Sequence, residues 1–430
     1  MGKDKHIPQG YKDSSLGIIP KEWEVKRLGD LCNNKGDYGL NAPATDFSID
    51  LPTYLRITDI DNNGKFIHVD KKSVNNTLAE NYYLKNGDIV FARTGATVGK
   101  TYLYDKRDGK LVYAGFLIKF SPNPSKLLSY YLKVHTETQN YWNWVSITSQ
   151  RSGQPGINAA EFCSYRIAIP SLEEQKQICS ILQLWDTAIE KQSELIEELT
   201  LRKRALMQKL LTGKKRLPGF SEKWQEKRLG EIGMFLSNNT LSREQLNASN
   251  GDVYCIHYGD VLIKYPSIID CEKEIMSFIN KNAYKESMTD FLENGDIIIS
   301  DTAEDETVGK ACEIQNVGNK KILAGLHTML LRPNKGLFAP CFLGYYINSE
   351  TYHKKLIPLI QGIKVCSIGK MAIQNTLITI PNVKEQNAIA SVLVKADKEI
   401  ELANAKLAKL KSQKRGLMQQ LLTGKKRTLN

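Results

Sequence analysis

The sequence predicts an α+β chain: two globular domains of mixed, mainly β structure, joined by two long helices that pair antiparallel as a coiled coil. Three observations predict it. The chain repeats itself once with a pseudo-twofold arrangement in prospect, each copy ends on a run of heptads, and each interior carries short apolar strands after Asn-Gly turns.

The repeat is the strongest of the three. Trp23 and Val25-Lys26-Arg27-Leu28-Gly29-Asp30-Leu31 return as Trp224 and Glu226-Lys227-Arg228-Leu229-Gly230-Glu231-Ile232, an offset of 201. Asn86-Gly87-Asp88 returns as Asn294-Gly295-Asp296 at 208, and Thr97-Val98-Gly99-Lys100 as Thr307-Val308-Gly309-Lys310 at 210. Ile169-Pro170 with Glu174-Gln175 returns as Ile380-Pro381 with Glu385-Gln386 at 211. At that same offset, Leu210-Leu211-Thr212-Gly213-Lys214-Lys215-Arg216 recurs without change from Leu421 to Arg427. A period near 210 exceeds any solenoid repeat and means two whole domains. The growing offset gives the second copy ten extra residues in its interior, while the flanking frame keeps register.

Each copy closes on a helix. Leu182, Trp185, Ile189, Gln192, Ile196, Leu199, Lys203, Leu206 and Leu210 alternate steps of three and four. Leu393, Ala396, Ile400, Ala403, Leu407, Leu410, Lys414, Leu417 and Leu421 repeat that register. Such a seam predicts a coiled coil, with Gly213 and Gly424 as left-handed caps. The two helices share one chain, so each finds its partner in the other copy at high effective concentration. The alternative is that each packs only on its own domain. The boundaries expected are 1–170 and 214–381 for the globular parts, with helices in 171–213 and 382–427. Within them, 53–58, 88–91, 252–256 and 296–299 read as strands, and 127–135 and 342–348 as helices.

Composition narrows the function. The 430 residues carry 59 Lys+Arg against 47 Asp+Glu, a net charge of +12, which favours a polyanionic partner. No apolar run is long enough to span a bilayer, so no membrane role is expected. The opening residues are polar rather than signal-like, and His6 stands where a myristoylation pattern after Gly2 wants Ser or Thr. With no two of the eight Cys closer than 16 residues, compact zinc or redox motifs are excluded and reduced thiols in the cytoplasm are expected.

Catalytic motifs are missing. Gly95-Ala96-Thr97-Val98-Gly99-Lys100-Thr101 resembles a phosphate loop, but only three residues separate its glycines. The second copy has Ala311 where Mg²⁺ would need a hydroxyl, so a tight turn between strands is the better reading. There is no Asn-Pro-Pro-Tyr or Asp-Pro-Pro-Tyr, and the six His are scattered without a metal-binding spacing. A chain that binds rather than catalyses is expected, with no catalytic residue and no metal ligand of its own.

Candidate binding residues fall where the two copies differ. Gln150, Arg151, Gln154 and Asn158 lie in a polar loop whose Gln, Asn and Arg side chains can bond base edges. The second copy has Gln361 and Lys364 there, and Arg93-Thr94 becomes Asp301-Thr302. Drifted surface loops are the alternative. Lys214, Lys215 and Arg216 follow the first helix cap and suit phosphate contact, a solvated face or an acidic partner.

Taken together, these motifs resemble the specificity subunit of type I restriction–modification systems. The matching pieces are Leu16-Gly17-Ile18-Ile19-Pro20 with Trp23, Arg27-Leu28-Gly29, Asn86-Gly87-Asp88, Pro170 with Glu174-Gln175, and Leu210-Leu211-Thr212-Gly213. Leu217-Pro218-Gly219-Phe220 with Trp224 opens the second copy, which departs at Ser221, where the first has Pro20, a change that affects only the entry segment. The resemblance implies a non-catalytic subunit whose two target recognition domains each read half of a split, asymmetric site in double-stranded DNA. The helices would act as spacers. Two modification subunits, holding S-adenosylmethionine for adenine methylation, would dock on the repeated helical regions. Restriction subunits would add ATP and Mg²⁺ chemistry, leaving no cofactor on this chain. A coiled-coil adaptor that binds no DNA and a stand-alone DNA-modifying enzyme are the rival readings.

Overall fold

The computed structural model describes residues 7–428, so Gly2 and His6 lie outside it. The chain divides into two compact units of mixed helix and strand: one runs up to Gln192 and resumes at Lys406, the other spans Ser193–Ala405.

The first unit is built on two small sheets. One orders Asp37–Tyr38, Leu117–Phe120, Ile89–Ala92 and Thr101–Leu103, all antiparallel. The other orders Leu111–Tyr113, Thr53–Leu55, Lys72–Ser73 and Thr45–Asp46. Its strand at Thr53 stops at Leu55, short of the expected Thr58. There the Arg56 guanidinium reaches Asp59 Oδ1 and Oδ2 at 2.6 and 2.9 Å and turns residues 57–59 into a 3₁₀ helix.

The near-phosphate loop is a turn. Strands Ile89–Ala92 and Thr101–Leu103 pair directly across it, with Gly99 N–H donating to Ala92 O at 2.8 Å. Gly99 has φ +85°, and a Cβ there would sit 2.7 Å from Val145 Cγ1. Its repeat counterpart Gly309 meets Leu356 Cδ1 at 2.5 Å in the same test, so both glycines serve turn and packing.

The second unit repeats the plan with an extra strand. Its main sheet orders Gly233–Leu236, Thr328–Pro333, Ile297–Ser300, Ala311–Gln315 and Ile268–Asp270. Seven of the ten extra residues fall between Gly230 and Asn294, the stretch that holds the added edge strand at Ile268. Both Asn-Gly-Asp turns are closed by their Asp: Asp88 Oδ2 accepts from Lys85 N–H and Asp296 Oδ2 from Glu293 N–H, each at 2.8 Å.

Two helices of 39 residues, Leu172–Leu210 and Val383–Leu421, follow the repeated Ile-Pro motif. Every seam position named from the sequence is buried or half-buried in both. In the first unit Lys414 bonds Asp186 Oδ1 at 2.7 Å and Glu137 at 3.0 Å, and Asp186 also accepts from the Tyr130 hydroxyl. The second unit repeats this network: Lys203 pairs with Asp397, which accepts from Tyr345 OH at 2.6 Å. Within the second unit Arg202 also pairs with Glu399, one residue before the Lys203–Asp397 pair.

The remaining repeated motifs tie helix to sheet. Gln175 Oε1 accepts from Leu128 N–H while its amide donates to Lys126 O and Pro170 O. Gln386 does the same with Ala339, Leu337 and Pro381. The residues shared by the two copies are therefore the joints of the frame.

Candidate nucleic-acid interface

In the first unit the structure joins two segments that lie 60 residues apart in the chain. Thr94 bridges Gly156, Gly95 N–H donates to Pro155 O at 3.0 Å, and Ile157 N–H donates to Arg93 O at 2.9 Å. Arg93 and the 150–158 loop therefore form one surface. The Arg93 guanidinium lies 5.0 Å from the centre of the Tyr38 ring and makes no ion pair among the described residues. Tyr38 is itself oriented by Ala159 N–H, which donates to its hydroxyl at 3.1 Å. A flat, unpaired guanidinium held on an aromatic face keeps its donor edge available.

Other candidates are already engaged. Arg151 places Nη2 2.6 Å from both Glu161 oxygens and donates Nη1 to Thr148 O and Gln150 O. Asn158 caps the helix Ala159–Ser164 through Glu161 N–H at 2.9 Å, in a reciprocal capping box. Both side chains shape the loop, so the free base-edge groups expected there reduce to Gln150 and Gln154, which are exposed. Thr94 is half-buried beside them.

The second unit joins the equivalent segments. Thr302–Ala303 pairs with Cys366–Ser367, and Ile368 N–H donates to Asp301 O at 2.9 Å. The chemistry is reversed. Asp301 Oδ1 accepts from Thr302 Oγ1 at 2.7 Å and lies 3.3 Å from His327 Nδ1. His327 takes φ +55°, a left-handed conformation that costs a non-glycine residue about 1 kcal/mol and brings its ring to this cluster. Tyr258 stands edge-on to it at 5.3 Å. Gln361 and Lys364 are exposed on the adjoining turn.

The basic triplet after the first helix splits. Lys214 and Lys215 are exposed, but Arg216 is not available in the way its position in the triplet implies. Its Nε and Nη2 hold Glu385 at 2.5 and 2.7 Å, and Glu385, 1% exposed on its side chain, also accepts from Trp224 Nε1 at 3.2 Å. Arg427, Glu174 and Trp23 repeat this triad at 2.7–3.0 Å in the first unit.

Tyr38, His327 and Tyr258 escaped the sequence reading. His327 had a usable signal: it stands three residues after Ala324, where the first copy has Leu117 after Ala114, an apolar-to-titratable change beside a repeated landmark.

His135 is 7% exposed, and burial pushes its imidazole down to about 3, as in a neutral core histidine. Among the described residues no group of three or more His, Cys, Asp or Glu could hold a metal ion, and no helix is long and apolar enough to cross a membrane. None of the eight Cys forms a disulfide.

Residues 20–201 and 221–412 both match the type I restriction modification DNA specificity domain. The chain belongs to this family. It is a DNA sequence-specificity subunit, carrying two copies of the specificity domain in one chain. The type I restriction enzyme MjaVIII specificity subunit of Methanocaldococcus jannaschii is 25% identical to it over 99% of either chain. A type I R-M system chain, solved in work on complex assembly and conformational transition, is similar in fold with a TM-score of 0.56. That likeness covers 94% of this chain and 99% of the other at 18% identity. The S subunit of a type I system from M. genitalium gives 0.54 at 13% identity, over 93% and 96% of the two chains.

Proposed function

We propose that each unit reads one half of a split, asymmetric DNA site, the first through the Arg93 surface and the second through the Asp301–Thr302–His327 surface. One observation carries this reading: the same two segments pair in both units, yet they present a cation on tyrosine in one and a carboxylate with histidine in the other. An arginine fork matches guanine O6 and N7, whereas a carboxylate accepts from an exocyclic amine such as cytosine N4. Lys214 and Lys215 would contact phosphate, and so position the chain without reading sequence.

In the same reading the two long helices form an antiparallel coiled coil, related by a pseudo-twofold, that sets the distance between half-sites. Two modification subunits dock on the repeated helical regions. Adenine methylation with S-adenosylmethionine, and ATP- and Mg²⁺-dependent restriction, belong to those partners in the cytoplasm. This chain contributes recognition and no catalytic group.

Arg93→Ala is expected to relax one base position in one half-site, a loss of about 1–3 kcal/mol in discrimination. Asp301→Ala should do the same in the other half only. Methylated-site mapping with each variant checks both. Equal loss across both halves, or an unchanged motif, would contradict the assignment.

A further inference from the structure

We propose that the turn Gln361–Ser367 is a wedge that opens a base step in the half-site read by the second unit, with Ile363 as the inserted side chain. The proposal rests on the recognition reading above.

Ile363 is 98% exposed and Val365 58%, two branched apolar side chains offered to water at one turn. The turn is braced. Gln361 N–H donates to Ser367 O at 2.9 Å and Ser367 N–H returns to Gln361 O at 2.8 Å. Gly362 has φ +102°, and a Cβ there would lie 2.0 Å from Val365 O, so only glycine closes it. Cys366, buried at the base, packs with the unit's core. Burial of Ile363 contributes nothing to the folded chain, yet its backbone position is tightly specified.

Position and charge name the occupant. The turn continues the strand pair that carries Asp301 and Thr302, so its tip extends the surface assigned to DNA. No Asp or Glu occurs between Glu350 and Glu385, while Lys354, Lys355, Lys364, Lys370 and Lys384 do. Lys364 is exposed beside Ile363 and makes no ion pair among the described residues, which places a cation where an opened step brings phosphate close. Apolar side chains inserted between base steps unstack and kink a duplex, and isoleucine is among those that do so. The corresponding turn of the first unit has Ser152, Gly153 and Gln154 and can open nothing this way. The two halves of the site are then read by different physics: bonding at one, bonding plus deformation at the other.

The test uses the full chain assembled with its modification subunits on its mapped motif. 2-Aminopurine is placed at successive steps of each half, leaving out the methylated adenine, which base flipping would brighten by itself. Emission at one step of the second unit's half should rise about threefold or more on binding, as unstacking requires. The rise should vanish in Ile363→Ser and persist in Ile363→Leu, with no such step in the other half. Specific binding without any brightened step, or a rise that survives Ile363→Ser, would overturn the wedge. Failure of Ile363→Ser to assemble with the modification subunits would overturn it too, by making the tip a protein contact. If the wild-type complex does not prefer its motif to a scrambled duplex, the recognition reading itself falls.

Discussion

Glu174 is a carboxylate with 2% of its side chain exposed, held by the Arg427 guanidinium and the Trp23 indole. Arg427→Ala would strand that charge. The expected cost is about 2 kcal/mol in denaturant unfolding, less than a fully buried pair because Arg427 is 30% exposed. Arg216→Ala should act in the same direction through Glu385. Unchanged stability in both variants would return these arginines to the free basic triplets that the sequence displays. Nothing in the triplet distinguishes Arg216 from Lys214, because its partner lies 169 residues away. Identity between the copies was the legible clue, since it marks structural joints, whereas differences such as Arg93 against Asp301 mark the candidate surfaces. Glu313 shows what stays hidden. Burial pushes its carboxyl up to about 7, against three hydrogen bonds from Cys341 N–H, Gly344 N–H and Gln315 that lower it. A raised folded pKa means stability that is full below about pH 4.5 and is lost as pH rises through 7, about 3 kcal/mol in all. The wild-type minus Glu313→Gln difference in unfolding free energy should show that loss between about pH 4.5 and 7. A flat difference would contradict it.

The long helices were the most legible elements. A three-four alternation of apolar residues over so many turns predicts a long helix with one buried stripe, and every named seam position is at least half-buried. The polar residues in that seam have a purpose of their own. Lys203 and Lys414 each hold a carboxylate from the neighbouring helix segment of their unit, a device that penalises slipped pairings. Strand ends were less legible: the Arg56–Asp59 clamp that stops the strand at Leu55 depends on side-chain geometry that apolar patterning does not encode. If the paired helices set the spacing of the DNA site, seven residues added to each at Ile196 and Ala403 keep the seam in phase. They lengthen the pair by about 10 Å, or about three base pairs. Mapping the motif of this variant should find the same half-sites with a longer gap. The same gap would remove the helices as spacers.

For the molecule as a whole, duplication explains why a shared frame can carry two unlike surfaces. Seven residues in a row repeat unchanged at the helix ends, yet the pairing of residues 93–95 with 155–157 and of 301–303 with 366–368 carries opposite charges. The two-domain plan was legible from the repeat offset alone. The assembly of each surface was not, because it depends on pairing across 60 or more residues. In the proposed reading the bases recognised depend in turn on side chains such as Tyr38 and His327, which no repeat motif names. The most direct test is a genome-wide map of methylated adenines in a methylation-free host expressing this chain with its modification subunit. One split, asymmetric motif, absent when this chain is omitted, is the predicted result. A map with no motif, or one that persists without this chain while the modification subunit is active, would contradict recognition by this chain.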